Sequence, residues 1–119
     1  MADRLLLLSW GASVRGREER GLEVFNEALG YYGRLQQDGR LESFDVVLLA
    51  PNGGFDGYME LRGTAAQLAA VREDAVFRRL LVDAAMIVDD LRLTDGYCNE
   101  GIADAMGIYQ EAIAGVPQD

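Results

Sequence analysis

The chain has 119 residues, half of them hydrophobic, which suits one domain with its own core and carries no mark of disorder. Against 20 acidic residues stand 11 basic ones, giving a net charge of −9 and a pI near 4.4, so a phosphate backbone is repelled on average and nucleic-acid binding is disfavoured. No apolar run reaches the ~18–20 residues of a membrane span, and the leucines of MADRLLLLSWGAS give way too soon to Trp10-Gly11 for a signal peptide; the expectation is a cytoplasmic protein with no membrane partner.

Leu5–Leu8 leads into Ser9-Trp10-Gly11 as a continuous apolar run, which predicts a strand buried on both faces in the middle of a sheet. From about Arg17 to Asp38 the apolar residues Leu22, Phe25, Ala28, Leu29, Tyr32 and Leu35 fall three or four apart, as one face of a helix requires, and Gly39 supplies its stop. Gly21, Gly30 and Gly33 each weaken that helix by about 1 kcal/mol relative to Ala, and close packing against the sheet is the expected compensation. Arg15, Arg17 and Arg20 form the one basic cluster and read as a solvated loop and helix start.

Leu41–Arg62 predicts two strands folded back around Asn52-Gly53-Gly54, whose dipeptides tolerate the positive φ of tight turns. With Pro51 opposite Asp56, Leu49 meets Tyr58, Val47 meets Glu60 and Asp45 meets Arg62 on one face. Phe44, Val46 and Leu48 then lie beside Met59 and Leu61 on the other. The second set is wholly apolar and belongs against helices; the first mixes oil with charge and needs water, a partner subunit or a ligand as its cover.

Thr64-Ala-Ala-Gln67 has the form of a capping box opening a short helix, and Asp74 caps a further segment that uses Phe77, Leu80 and Leu81. A fourth strand is predicted over about Met86–Thr94, with Asp89-Asp90 as a bulge or kink. Asn99 is the expected cap of a last helix, roughly Gly101 to Ala114, with Ile102, Ala105, Tyr109, Ala112 and Ile113 on one side and Gly115 and Pro117 ending it.

The order strand, helix, strand, strand, helix, strand, helix predicts a single α+β domain over residues 1–119. Its ferredoxin-like βαββαβ unit has a four-stranded antiparallel sheet ordered 4-1-3-2, helices on one face and an extra C-terminal helix. The opposite face is left bare, and a second copy of the chain is its expected cover, so the predicted partner is self, as a homodimer or higher assembly.

This topology, over roughly Leu5–Thr94, resembles the dimeric α+β barrel superfamily, in which two ferredoxin-like protomers pack their sheets into a shared barrel. Locally, Tyr58-Met-Glu-Leu-Arg62 followed by Thr64–Phe77 is similar to YCII-related proteins, where a strand leads into a short helix and an Asp-Asp-Pro-Phe-like turn; here that turn reads Glu73-Asp74-Ala75-Val76-Phe77. The chain has no histidine, so neither the His–Asp pair of YCII-type proteins nor the histidine ligand of the superfamily's haem enzymes carries over. The resemblance implies a homodimer, and its enzymatic versions imply cofactor-independent oxygenation or isomerisation of a small organic substrate. The final helix is an addition that either covers a barrel mouth or joins dimers.

Without histidine and with the single Cys98, conventional Ser–His–Asp and Cys–His systems are excluded and a transition-metal site is disfavoured, so no metal and no cofactor is expected. Glu60 is the candidate catalytic acid or base, with Tyr58 as a hydrogen-bond donor and Arg62 as the holder of an anionic group. The alternative for these residues is a Glu60–Arg62 or Asp45–Arg62 pair within an interface. Trp10 is a candidate for stacking on a flat ligand, or else a core or dimer contact. Adjacent Asp89 and Asp90 point to opposite faces of a strand and do not share a metal without a bulge. Cys98 has no basic neighbour in sequence to activate it, and Asn52-Gly53-Gly54 lacks the context of a phosphate loop. Two functions stay open: a homodimer that binds or transforms a small molecule in a pocket, and a non-catalytic assembly or ligand-sensing module with a filled interface.

Overall fold

In the computed structural model, which describes residues 1–117, the chain runs β1 (Arg4–Trp10), α1 (Glu18–Gln37), β2 (Ser43–Leu48), β3 (Gly57–Gly63), α2 (Ala65–Glu73), α3 (Ala75–Ala85), β4 (Arg92–Tyr97) and α4 (Glu100–Ala114). The strands form one antiparallel sheet ordered β2-β3-β1-β4, the order expected from the sequence. Side chains alternate across it. Leu6 and Leu8 of β1 join Met59 and Leu61 of β3 on the face covered by α1, α2 and α3, with Tyr32, Leu35, Val71 and Phe77 the deepest helical contributions. Each such Leu or Phe contributes about 1.5–3 kcal/mol when fully buried. Leu5, Leu7, Val47, Tyr58, Glu60 and Arg62 point to the other face, over which no helix is packed among the described residues. No helix among the described residues is long and apolar enough to cross a membrane.

The helix ends follow the local chemistry of the sequence. Gly39 ends α1 in the left-handed region (φ +72°), and the Arg40 amide donates to the Leu35 carbonyl at 2.8 Å. Thr64 Oγ1 accepts from the Gln67 amide at 3.1 Å while Gln67 Oε1 accepts from the Thr64 amide at 2.8 Å, completing the capping box. Asp74 caps α3 by accepting from the Val76 amide at 2.9 Å, and Arg40 reaches its other oxygen at 2.8 Å. The amide first and the guanidinium second hold its carboxyl below the ordinary range.

Four local expectations are corrected. The hairpin register is displaced by two residues: Val47 faces Tyr58, Asp45 faces Glu60 and Ser43 faces Arg62. The connection is a longer loop organised by Asn52, whose amide donates to Ala50 and Phe55 carbonyls and whose oxygen accepts from Gly54. A shift of two keeps every side chain on its expected face. The fourth strand lies at Arg92–Tyr97 rather than over Met86–Thr94, because Asp90 adopts φ +55° and breaks the extended run. Residues 87–89 instead run beside 11–14, through bonds such as Gly11 N–H to Asp89 O at 2.7 Å and Val14 N–H to Ile87 O at 2.9 Å.

Asn99 precedes α4 without capping it; at φ +50° its side-chain amide donates to the Ala2 carbonyl at 2.7 Å. The first turn of α4 is held by close approach, since a side chain on Gly101 would collide with the Asp3 carbonyl. Beyond that turn α4 extends away from the body, and the chain measures 53 × 38 × 23 Å with a radius of gyration of 16.7 Å, against about 13 Å for a compact 100-residue domain.

The α1 glycines are not explained by packing against the sheet. A methyl group on Gly21 would meet only the tip of Ile87, and one on Gly33 would meet nothing within 4 Å. Gly33→Ala is therefore expected to stabilise the fold by about 0.5–1 kcal/mol, read as a higher midpoint in urea with an unchanged slope. Gly57→Ala, which places a Cβ 2.7 Å from the Val47 carbonyl and 2.8 Å from the Trp10 ring, is expected to lower the midpoint.

Candidate functional site

The sheet separates the residues singled out in the sequence. Trp10 shares its parity with Leu6 and Leu8 and lies on the helical face, packed edge-on to Phe25 with ring centroids 6.4 Å apart and planes at 70°. Its sheet partner is Gly57, which has no side chain to compete with the indole. Tyr58, Glu60 and Arg62 stand on the opposite face.

Beside Trp10 a cavity of about 420 Å³ opens between α1, α3 and the sheet. Its walls are almost wholly apolar: Leu8, Met59, Phe25, Leu80, Leu81 and Ile87 among them, with Ser13, Glu18 and Tyr32 as the polar members. The space exists because Gly21 and Ala28 on α1 face Ala84 on α3, and short side chains at a helix seam leave a gap that leucines would fill. Arg20 to Asp83 at 3.5 Å and the Arg17 guanidinium to the Met86 carbonyl at 2.7 Å brace the two helical walls. Burial pushes the Tyr32 phenol above its ordinary pKa, so the group is a neutral hydroxyl at physiological pH. Glu18, in the first turn of α1, has its carboxylate engaged by the Gly16 amide. Of this set the sequence singled out Trp10 alone as a candidate for ligand contact, reading most of the others as core or helix positions. The available signal was the spacing of Gly21 and Ala28, seven residues apart and so on one side of α1.

On the open face a groove of about 630 Å³ runs past Leu7, Ser9, Tyr58, Glu60, Phe55 and Arg92. The Phe55 and Tyr58 rings lie 6.4 Å apart along it. Arg62 is drawn to one side: its guanidinium bridges Glu60 at 2.6 Å and Asp45 at 3.2 Å. The hydrogen bond that Arg62 donates to Glu60 raises the Arg62 pKa, with the two carboxylate charges adding to it. Asp45 and Glu60 are direct cross-strand partners, so Arg62 neutralises a like-charge pair that is otherwise destabilising. Asp89 and Asp90 form no metal cluster with other ligands among the described residues. Cys98 lies near the Ala2 and Arg4 carbonyls.

If Arg62 serves to neutralise Asp45 and Glu60, Arg62→Met costs about 1 kcal/mol, and the cost is largely recovered when Asp45→Asn is added. Denaturant midpoints of the two single variants and the double variant measure this coupling.

No protein-family model and no curated protein sequence matches the chain. Solved structures do match its fold. The hydroxynitrile lyase of Passiflora edulis superposes with a TM-score of 0.63 at 11% identity, covering 84% of this chain and 97% of that one. A dimeric ferredoxin-like protein of unknown function from Jannaschia sp. CCS1 gives 0.62 at 13%, covering 78% and 96%. SnoaB, a cofactor-independent oxygenase from Streptomyces nogalater, gives 0.50 at 12%, covering 82% and 93%. At these identities the likeness establishes the ferredoxin-like α+β fold that this chain shares with all three.

Proposed function

We propose that this protein is a homodimer that binds a flat, largely apolar small molecule in the cavity between α1, α3 and the sheet of each protomer. The observation that carries this reading is the cavity itself. Its volume falls within the ~300–1,000 Å³ of small-molecule sites, and it combines apolar walls with a few polar groups. Trp10 and Phe25 offer it aromatic surfaces, and Ser13, Glu18 and Tyr32 offer polar contacts that would orient a ligand. In this reading Tyr58, Glu60 and Arg62 belong to the face by which two copies pair, with Arg62 held by Glu60 and Asp45.

The enzymatic form of the proposal is a cofactor-independent oxygenase or isomerase. SnoaB is described as a cofactor-independent oxygenase and the Passiflora edulis protein as a hydroxynitrile lyase, so this fold accommodates chemistry on small organic molecules. In a chain without histidine, Glu18 is the one carboxylate lining the cavity among the described residues, and it is the group proposed to accept a proton from a ligand, in preference to Glu60 on the far side of the sheet. The second reading, a ligand-sensing module without catalysis, uses the same cavity and omits only that proton transfer.

Trp10 is the only tryptophan, so its fluorescence reports directly on the cavity. Titration with 1-naphthol and with anthraquinone-2-sulfonate is expected to quench it saturably, and Ala28→Phe, which fills the cavity, is expected to remove the quenching. Absence of saturable quenching by either probe would reject the site. Light scattering is expected to give twice the 13.0 kDa chain mass; a monomer at micromolar concentration would reject the pairing.

A further inference from the structure

We infer that α4 is an arm that docks its apolar stripe on a second copy of this chain, completing the pairing surface begun by the open sheet face; the inference rests on the homodimer proposed above. Ile102, Met106 and Tyr109, spaced four and three apart, line one side of α4 and are 53%, 47% and 60% exposed. Glu100, Asp104 and Glu111 lie on the opposite side of the helix. Covering the stripe therefore takes no carboxylate out of water.

Its own chain does not supply the cover. The positive φ of Asn99, the Asn99–Ala2 hydrogen bond and the close approach of Gly101 to Asp3 fix the direction in which α4 leaves the end of β4. That direction leaves Met106, Ile108 and Tyr109 exposed along the helix. Folding α4 back would require all three contacts to change together.

The area argues for a second copy. Four strands of six or seven residues, about 4.8 Å apart with a rise of about 3.3 Å, give the open face a footprint of roughly 400 Å². A standard interface buries about 800 Å² of accessible surface per partner, and an apolar strip beside the face adds to what the face offers towards it. The 15 residues of α4, about 22 Å long, supply a second apolar strip of comparable order. Because α4 departs from β4, the strand that borders the open face, two copies pairing by that face bring each arm to the edge of the other.

Sedimentation equilibrium on the full chain and on the Ile102→Asp/Tyr109→Asp double variant tests this. The variant is expected to keep its circular dichroism and to dissociate at least tenfold more readily. A variant that dimerises as tightly as the natural chain would overturn the arm while leaving the sheet pairing intact, whereas a monomeric natural chain would overturn both. Should the variant fail to fold, p-benzoylphenylalanine at position 109 decides the matter. A photo-crosslinked band at twice the chain mass is expected, and crosslinks confined to a single chain would reject the arm.

Discussion

The alternation along β3 governs the whole structure. β1 is leucine-rich on both sides, Leu6 and Leu8 against Leu5 and Leu7, and either face of it could lie beneath helices. β3 cannot be turned over in this way. Met59 and Leu61 face α1, α2 and α3, while Tyr58, Glu60 and Arg62 face away. A one-residue slip would put Glu60 and Arg62 under the helices and lift Met59 and Leu61 out. Burying those two charges costs several kcal/mol per ion even after relaxation, more than any rearrangement of β1 could return. The register of β3 thus decides which side of β1 carries the core, which side stays open, and where Trp10 points.

How much of this was legible in the sequence depends on the range over which each decision is made. Thr64 with Gln67, Asp74 before Phe77, and Gly39 after Leu35 act within one helical turn, and each does what its local chemistry predicts. The strand order followed from the sequence of elements and short crossovers. The hairpin register failed because Asn52 spends its side chain on three loop contacts, which lengthen the connection beyond the tight turn that Asn-Gly suggests. The fourth strand was displaced because Ile87 and Val88 are apolar for another reason: Ile87 is buried beside Gly21 of α1, in a connector rather than in the ladder.

The candidate site was legible only in part, for a related reason. Trp10 and Glu60 were both candidates for ligand contact, and nothing in the sequence states how β1 is aligned with β3. With Trp10 opposite Gly57 and Leu7 opposite Glu60, the two residues fall on opposite sides of the sheet. The cavity escaped notice because it is made by what is missing. Gly21 and Ala28 read as a weak point and a core position of one helix, and Ala84 as an ordinary small residue; only the packing of α1 beside α3 turns them into space.

Separating the cavity from the open face has a mechanical consequence for the proposed homodimer. A site enclosed by α1, α3 and one sheet belongs to a single protomer, so occupancy of one copy need not wait for residues of the other. The sheet nevertheless joins the two sides through consecutive residues: Ser9 lines the open groove and Trp10 the cavity, and their backbones share the ladder with Tyr58 and Gly57. Gly57 lies against the Trp10 ring, where even a methyl group has no room, and Tyr58 follows it in β3 on the open face. Close packing of this kind transmits small shifts instead of absorbing them. Gly57, by having no side chain, is thus the point at which the cavity wall and the open face meet through a single strand.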